Sequence, residues 1–156
     1  MGMRIGVSSD HAGKELKKII VEYLRTAGHE GLDYGVAEDN QASVDYPDLA
    51  ALVASDVSSG KLDRGVCICG SGIGMSISAN KFPGVRAAVV SDEFAARMSR
   101  AHNDANVICF GARTTTHFRA VDYLKLWLEA PFEGARHQLR LDKIREIEKH
   151  LAKGRK

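Results

Sequence analysis

Cys69 ends the apolar run Gly65-Val66-Cys67-Ile68-Cys69 and leads directly into Gly70-Ser71-Gly72-Ile73-Gly74. Three glycines at alternate positions, between an apolar run and a helical segment, let the main chain approach a ligand closely. Consecutive amide N–H groups at such a helix start can hold an anion. The same glycines would equally serve a tight turn and close helix packing. No glycine falls at the sixth place, so the loop is not a dinucleotide fingerprint, and it lacks the Gly-Lys-Ser/Thr of a P-loop. Beside those amides, and at the positive end of the following helix, Cys69 is placed to act as a base or nucleophile. A phosphatase loop would need Arg six residues after the cysteine, where Met75 stands. Cys67 and Cys109 fall inside apolar runs and read as inert core thiols, and Cys-x-Cys spacing alone supplies no metal site.

Other polar residues sit at comparable punctuation points. Ser8-Ser9-Asp10-His11 ends the first apolar run with Gly13 close behind, so Asp10 either caps a helix or joins His11 in the same site as Cys69. Arg113 follows a further apolar run in Phe110-Gly111-Ala112-Arg113. Arg136 and Arg140, four apart, either face one way as a phosphate clamp requires or lie on a solvated helix face. His102-Asn103-Asp104 ends a helical segment, where a histidine can interact with the helix dipole. His29, His117, His137 and His150 lack such neighbours and read as ordinary surface or core residues.

The elements that must position these residues alternate between short β-branched runs and longer segments of helical period, the pattern of βαβ units and a parallel sheet. Strands are expected at Arg4–Ser8, Glu30–Tyr34, Gly65–Cys69, Val85–Val90 and Asn106–Phe110. The last three are apolar enough to be covered on both faces. Leu16, Ile19, Ile20, Tyr23 and Leu24 mark one face of a helix stopped by Gly28; after the loop Gly35–Tyr46, Pro47 opens a second with Leu49, Leu52, Val53 and Val57 inward, closed by Gly60. Further helices are expected over Ile73–Lys81, Asp92–Ala101, Thr115–Leu128 and Leu139–Leu151. Right-handed crossovers on this pattern predict one α/β domain over residues 1–156: a doubly wound, Rossmann-like five-stranded parallel sheet in the order 2-1-3-4-5. Helices lie on both faces, an extra helix follows at the C-terminus, and ligands bind beyond the carboxyl ends of the strands.

Composition agrees with that size and class. The 156 residues are 44% hydrophobic and 27% charged, near the averages for a globular domain, and 22 basic against 20 acidic residues give +2. No basic run occurs apart from the ragged tail Lys149–Lys156, which argues against a nucleic-acid partner. No apolar run approaches the about 18 residues of a membrane span, and strand-like sequence begins too early for a signal peptide. Three cysteines without a Cys-x-x-Cys pair suit reduced thiols and a cytoplasmic protein.

Taken jointly, Ser9-Asp10-His11-Ala12-Gly13, Asp45-Tyr46-Pro47, Cys69-Gly70-Ser71-Gly72-Ile73-Gly74, Ala79-Asn80-Lys81, His102-Asn103-Asp104-Ala105-Asn106-Val107, Phe110-Gly111-Ala112-Arg113 and Glu133-Gly134-Ala135-Arg136-His137-Gln138 resemble the ribose-5-phosphate isomerase B family over nearly the whole chain. Relatives of that family include allose-6-phosphate isomerase and the galactose-6-phosphate isomerase subunits. The resemblance implies an aldose-ketose isomerase of the pentose phosphate pathway, without metal or cofactor, interconverting ribose 5-phosphate and ribulose 5-phosphate. It also implies a dimer or a dimer of dimers. By position it makes Cys69 the isomerising base and His102 the ring-opening group. Substrate binding then falls to Asp10, His11, Gly70, Ser71, Gly72, Ile73, Gly74, Asn103, Arg113, Arg136 and Arg140. One branch of the family uses Glu where Met75 stands here, which places this chain in the cysteine branch, and Ser71 keeps the hydroxyl of the more usual Thr. Alternatives are an isomerase of a six-carbon phosphosugar, or a non-catalytic sugar-phosphate-binding module that would need the loop and arginines but neither Cys69 nor His102.

Placing His102 on the expected fold carries a consequence for assembly. A helix over Asp92–Ala101 runs antiparallel to its strands and returns the chain to their amino ends, so His102 and Asn103 should lie at the sheet edge opposite Cys69. Either that helix is displaced or a partner subunit supplies them. The second is expected: a homodimer whose sites combine Asp10, His11 and Cys69 of one chain with His102 and Asn103 of the other.

Overall fold

The short apolar runs form strands and the periodic segments form helices, in a computed structural model that describes residues 2–37 and 39–154. Glu38 of the expected loop and the end of the charged tail lie outside the described residues. The order is β1 (Arg4–Ser9), a 3-10 turn (His11–Gly13), α1 (Lys14–Thr26), β2 (Glu30–Asp33), α2 (Tyr46–Ser58), β3 (Arg64–Cys69), α3 (Ile73–Ala79), β4 (Ala87–Val89), α4 (Glu93–Ala101), β5 (Val107–Gly111), α5 (His117–Glu129) and α6 (Arg136–Lys153). The extra C-terminal helix starts three residues earlier than its periodicity suggested, because it opens on the charged Arg136-His137-Gln138 rather than on an apolar residue.

Side chains alternate across the sheet as period 2 demands. Ile5, Val7, Val66, Ile68, Ile108 and Phe110 point into a core shared with α1, α4 and α5, where Leu16, Ile20, Leu24, Ala96, Leu124 and Trp127 are buried. Cys67, Cys69, Val107 and Cys109 point the other way, against Leu49, Val53 and Val57 of α2 and Met75 and Ala79 of α3. Leu52, expected inward, is 50% exposed. It falls just outside the stripe formed by Leu49, Val53 and Val57.

All strand pairs are parallel, but the order is β2-β1-β3-β5-β4 rather than 2-1-3-4-5. The face on which α4 packs is the physical reason. Ala96 of α4 joins the core of α1 and α5, whereas α3 packs beside α2. Connections moving outward from β3 put their helix on the α2 face, so a helix on the opposite face must carry the chain back inward. Strand β5 therefore lies between β3 and β4, and β4 becomes the edge. This also corrects the expectation that the fourth strand is covered on both faces: Ala87 and Ala88 are half-buried and Val89 is exposed. For the site the consequence is direct. Cys69 pairs in register with Gly111, and the chain leaving β5 arrives one strand spacing, about 4.8 Å, from the end of β3.

Candidate active site

At the carboxyl edge the main chain does most of the positioning. Gly72 has φ +79°, a left-handed conformation that closes the turn into α3, and an added Cβ would meet the Phe110 carbonyl carbon at 3.0 Å. That turn aims the Gly72 N–H at Cys69 Sγ, 3.1 Å away. Cys69 is only 4% exposed, so its sulfur takes that amide donor in a largely dry setting. The Ile73 N–H is occupied locally too, by Ser71 Oγ at 3.3 Å. Two of the five loop amides thus serve the loop itself.

Arg113 is held over the same loop. The Ala112 N–H donates to the Cys69 carbonyl at 2.8 Å and the Arg113 N–H to the Gly70 carbonyl at 3.0 Å. Its guanidinium crosses Gly70 so closely that a Cβ there would lie 3.3 Å from Nη1. On the adjoining strand end, Asp10 Oδ1 accepts from the Ala12 N–H at 2.9 Å, which establishes its capping role at the 3-10 turn. Its position beside β3 is fixed by the Asp10 N–H donating to the Ile68 carbonyl at 3.1 Å. The exposed His11 accepts the Val44 N–H on Nδ1 at 3.3 Å, with Ser43 Oγ 3.5 Å from the same nitrogen. Nε2 is then the nitrogen left to carry the ring proton. Tyr46, from the Asp45-Tyr46-Pro47 motif, lies against Gly74, where a Cβ would come within 2.6 Å of its ring.

The opposite edge holds the remaining predicted residues. His102 ends α4 and Asn103 and Asp104 follow, before β5 begins at the level of Gly65. Asp104 has φ +44°, unusual for a non-glycine residue, and two arginines hold it there. Arg86 Nη2 lies 3.0 Å from one carboxylate oxygen and the buried Arg100 Nη1 2.8 Å from the other. The Asn103 carbonyl accepts from Arg86 Nε at 3.0 Å. The His102 ring stacks on His137, centroids 4.1 Å apart and planes 10° from parallel. Arg136 and Arg140 flank His137 on the first turns of α6, both exposed. Burial pushes the His137 pKa down; the positive neighbours His102, Arg136 and Arg140 add to that, and Glu133 opposes it.

Two half-sites result. Asp10, His11, Cys69, the loop Gly70–Gly74 and Arg113 gather at the carboxyl edge, while His102, Asn103, Arg136 and Arg140 gather at the amino edge. Four residues of β3 separate the edges, about 13 Å, whereas a five-carbon chain spans about 6 Å. Residue types and spacing do not single out His137, or Glu133, whose carboxylate lies 3.5 Å from His137 Nε2 and comes from the loop before α6. Their four-residue separation carries no helical signal, because Glu133 precedes the helix.

Among the described residues no helix is long and apolar enough to cross a membrane. The sequence matches the Ribose/Galactose Isomerase family over residues 5–144. It is 43% identical to ribose-5-phosphate isomerase B of Escherichia coli, covering 93% of this chain and 96% of that protein. Ribose-5-phosphate isomerase B of Clostridium thermocellum superposes with a TM-score of 0.92 at 49% identity, over 96% of this chain and 99% of the other. The Mycoplasma genitalium ribose-5-phosphate isomerase B, solved with bound ribulose-5-phosphate, superposes with a TM-score of 0.89 at 44% identity, over 93% and 95%.

Proposed function

Because the chain belongs to the ribose/galactose isomerase family, we propose that it interconverts ribose 5-phosphate and ribulose 5-phosphate, with Cys69 as the base and His102 of a partner subunit opening the ring. The observation that carries this reading is the Gly72 N–H on Cys69 Sγ with the Arg113 guanidinium over neighbouring Gly70: a sulfur next to anion donors. A binding module would have no use for it.

His102 takes the proton of the anomeric hydroxyl and returns one to the ring oxygen, opening the furanose. The Cys69 thiolate then removes the C2 proton to leave an enediolate, the proton on O2 passes to O1, and the thiol delivers its proton to C1. Loop amides not already committed to Cys69 and Ser71 hold the developing oxyanion, with the Ser71 hydroxyl beside them. The phosphate, at the far end of the sugar, falls to His11, Arg113, Arg136 and Arg140, with Asp10 and Asn103 fixing the sugar hydroxyls.

The separation of about 13 Å between the edges supports a site shared between subunits, because one five-carbon sugar does not reach both halves within a single chain. A homodimer joining the carboxyl edge of one chain to the amino edge of its partner completes both sites, and such dimers can pair further. Three free thiols, two of them on registered neighbouring strands, fit a reducing cytoplasm.

Activity on ribose 5-phosphate in EDTA, compared between parent and Cys69→Ala, tests the chemistry; faster turnover on allose 6-phosphate would reassign the substrate. Mixing inactive Cys69→Ala and His102→Ala proteins under subunit exchange tests the sharing. Heterodimers then carry one intact site, restoring about a quarter of parental activity, and a mixture that stays inactive after verified exchange would rule sharing out.

A further inference from the structure

Unlike Arg113, which its own strand end holds, His11 takes its ring orientation from a remote segment. Its Nδ1 accepts the Val44 N–H at 3.3 Å, with Ser43 Oγ 3.5 Å away, and both residues belong to the long connection from β2 to α2. A main-chain N–H can only donate, so while this bond stands Nδ1 is bare and Nε2 carries the ring proton. Whatever places Val44 therefore decides which nitrogen of His11 faces the substrate.

Between Val36 and Val44 little packing fixes that connection. Ala37 and residues 39–43 are exposed, and a cavity of about 630 Å³ lies between α1 and residues 35–37. Hydrogen bonds from α1 take over. Lys17, only 3% exposed, donates from Nζ to Asp33 Oδ1 at 2.7 Å and to the Val36 carbonyl at 2.8 Å. The same Asp33 oxygen accepts the Gly35 N–H at 2.8 Å. Three residues earlier on the same helix face, Lys14 Nζ donates to the Asn40 carbonyl. Asn40 Oδ1 in turn accepts the Ala42 N–H at 2.9 Å, two residues before Val44. Two ammonium groups thus strap the connection onto the helix that His11 itself introduces. Burying a lysine costs desolvation and rotamer freedom, which a merely solvated connection would not require.

We propose that Lys17, seconded by Lys14, is a positioning residue for phosphate recognition: the strap sets Val44 on His11 Nδ1 so that the Nε2–H is aimed at the substrate phosphate. The phosphate role of His11 rests on the function proposed above; the strap and the tautomer do not. A neutral imidazole with the proton on Nε2 donates to a phosphate oxygen, whereas the opposite tautomer turns a lone pair on it. Because the phosphate is held alike in ground and transition states, the strap acts on KM rather than on kcat.

The test joins nitrogen NMR of isotopically labelled full-length protein with kinetics. At about pH 8, where imidazoles are neutral, the parent should show His11 protonated on Nε2 and bare on Nδ1, its signals identified by their absence in His11→Ala. Lys17→Met should mix the two tautomers. It should also raise KM for ribose 5-phosphate and the inhibition constant of inorganic phosphate about tenfold, with kcat within about twofold of the parent. Lys14→Met, at a less buried position whose loss the fold bears more easily, should move the same quantities the same way by a smaller factor. A tautomer that stays fixed in both variants overturns the strap, as does a fall in kcat without a rise in KM. His11→Ala separates the two readings. If it leaves phosphate inhibition unchanged, the phosphate role of His11 fails; if it weakens that inhibition while the lysine variants keep the tautomer, the strap alone fails.

Discussion

The two edges of the sheet are built from different materials. At the carboxyl edge, strand ends and glycines do the placing: the Gly72 turn, the main-chain bonds from Ala112 and Arg113 to the loop, and the Asp10 amide on β3. At the amino edge, side chains place one another: Arg86 and Arg100 grip Asp104, and His137 stacks under His102. Main-chain bonds pre-set the first edge and leave little for a single substitution to loosen, apart from the reacting group itself and the lysines behind His11. The second edge depends on charges and ring contacts, so it should respond to pH and to single charge deletions.

The largest expected effect is at the first edge. Cys69→Ala should lower kcat by about 10²- to 10⁴-fold or more with KM and melting temperature little changed; retention of a tenth of parental kcat would remove the sulfur from the chemistry. Next comes the phosphate clamp. Arg140→Ala should raise KM about 10- to 100-fold with a smaller change in kcat, the worth of one charge-assisted hydrogen bond to a group remote from the reacting carbons. A loss confined to kcat would move Arg140 from clamp to chemistry.

How far each edge was legible in the sequence follows from the same division. Glycine spacing after an apolar run reports main-chain geometry directly, so the Cys69 loop, Asp10 and Arg113 could be placed from residue order. The antiparallel course of α4 similarly put His102 at the far edge. Side-chain partnerships between elements leave no such trace: the four-residue spacing of Arg100 and Asp104 is legible, but nothing in residue order announces that Arg86 will share the same carboxylate or that His137 will lie under His102. The exchange of β4 and β5 was hidden for a related reason. It depends on which core receives Ala96, and the amphipathicity of α4 is the same whichever face of the sheet it covers.

The remaining contrasts are smaller. Asp104→Ala should cost about 2 kcal/mol, since it strands the nearly buried Arg100 and releases a left-handed turn. A fall in melting temperature of about 4 to 8 °C would register it; no fall would mean that the turn holds without the arginines. The weakest expected signal is a pH dependence. The folded-state pKa of His137 lies below its unfolded value, so the stability it contributes is present above about pH 6.5 and is lost as pH falls through the depressed folded pKa. Melting curves of the parent should therefore fall more steeply with acid than those of His137→Gln, and parallel curves would assign the acid sensitivity elsewhere.

The guanidinium of Arg113 lying across Gly70 has a bearing on covalent chemistry. An alkylating agent that carries its own negative charge would be drawn toward Cys69 before bond formation, so iodoacetate should outpace neutral iodoacetamide at this sulfur, reversing their usual order with free thiols. Cys67 and Cys109 are fully buried and would stay unmodified. A phosphate- or carboxylate-bearing electrophile would thus label one cysteine of three, and substituting Arg113 would abolish the preference.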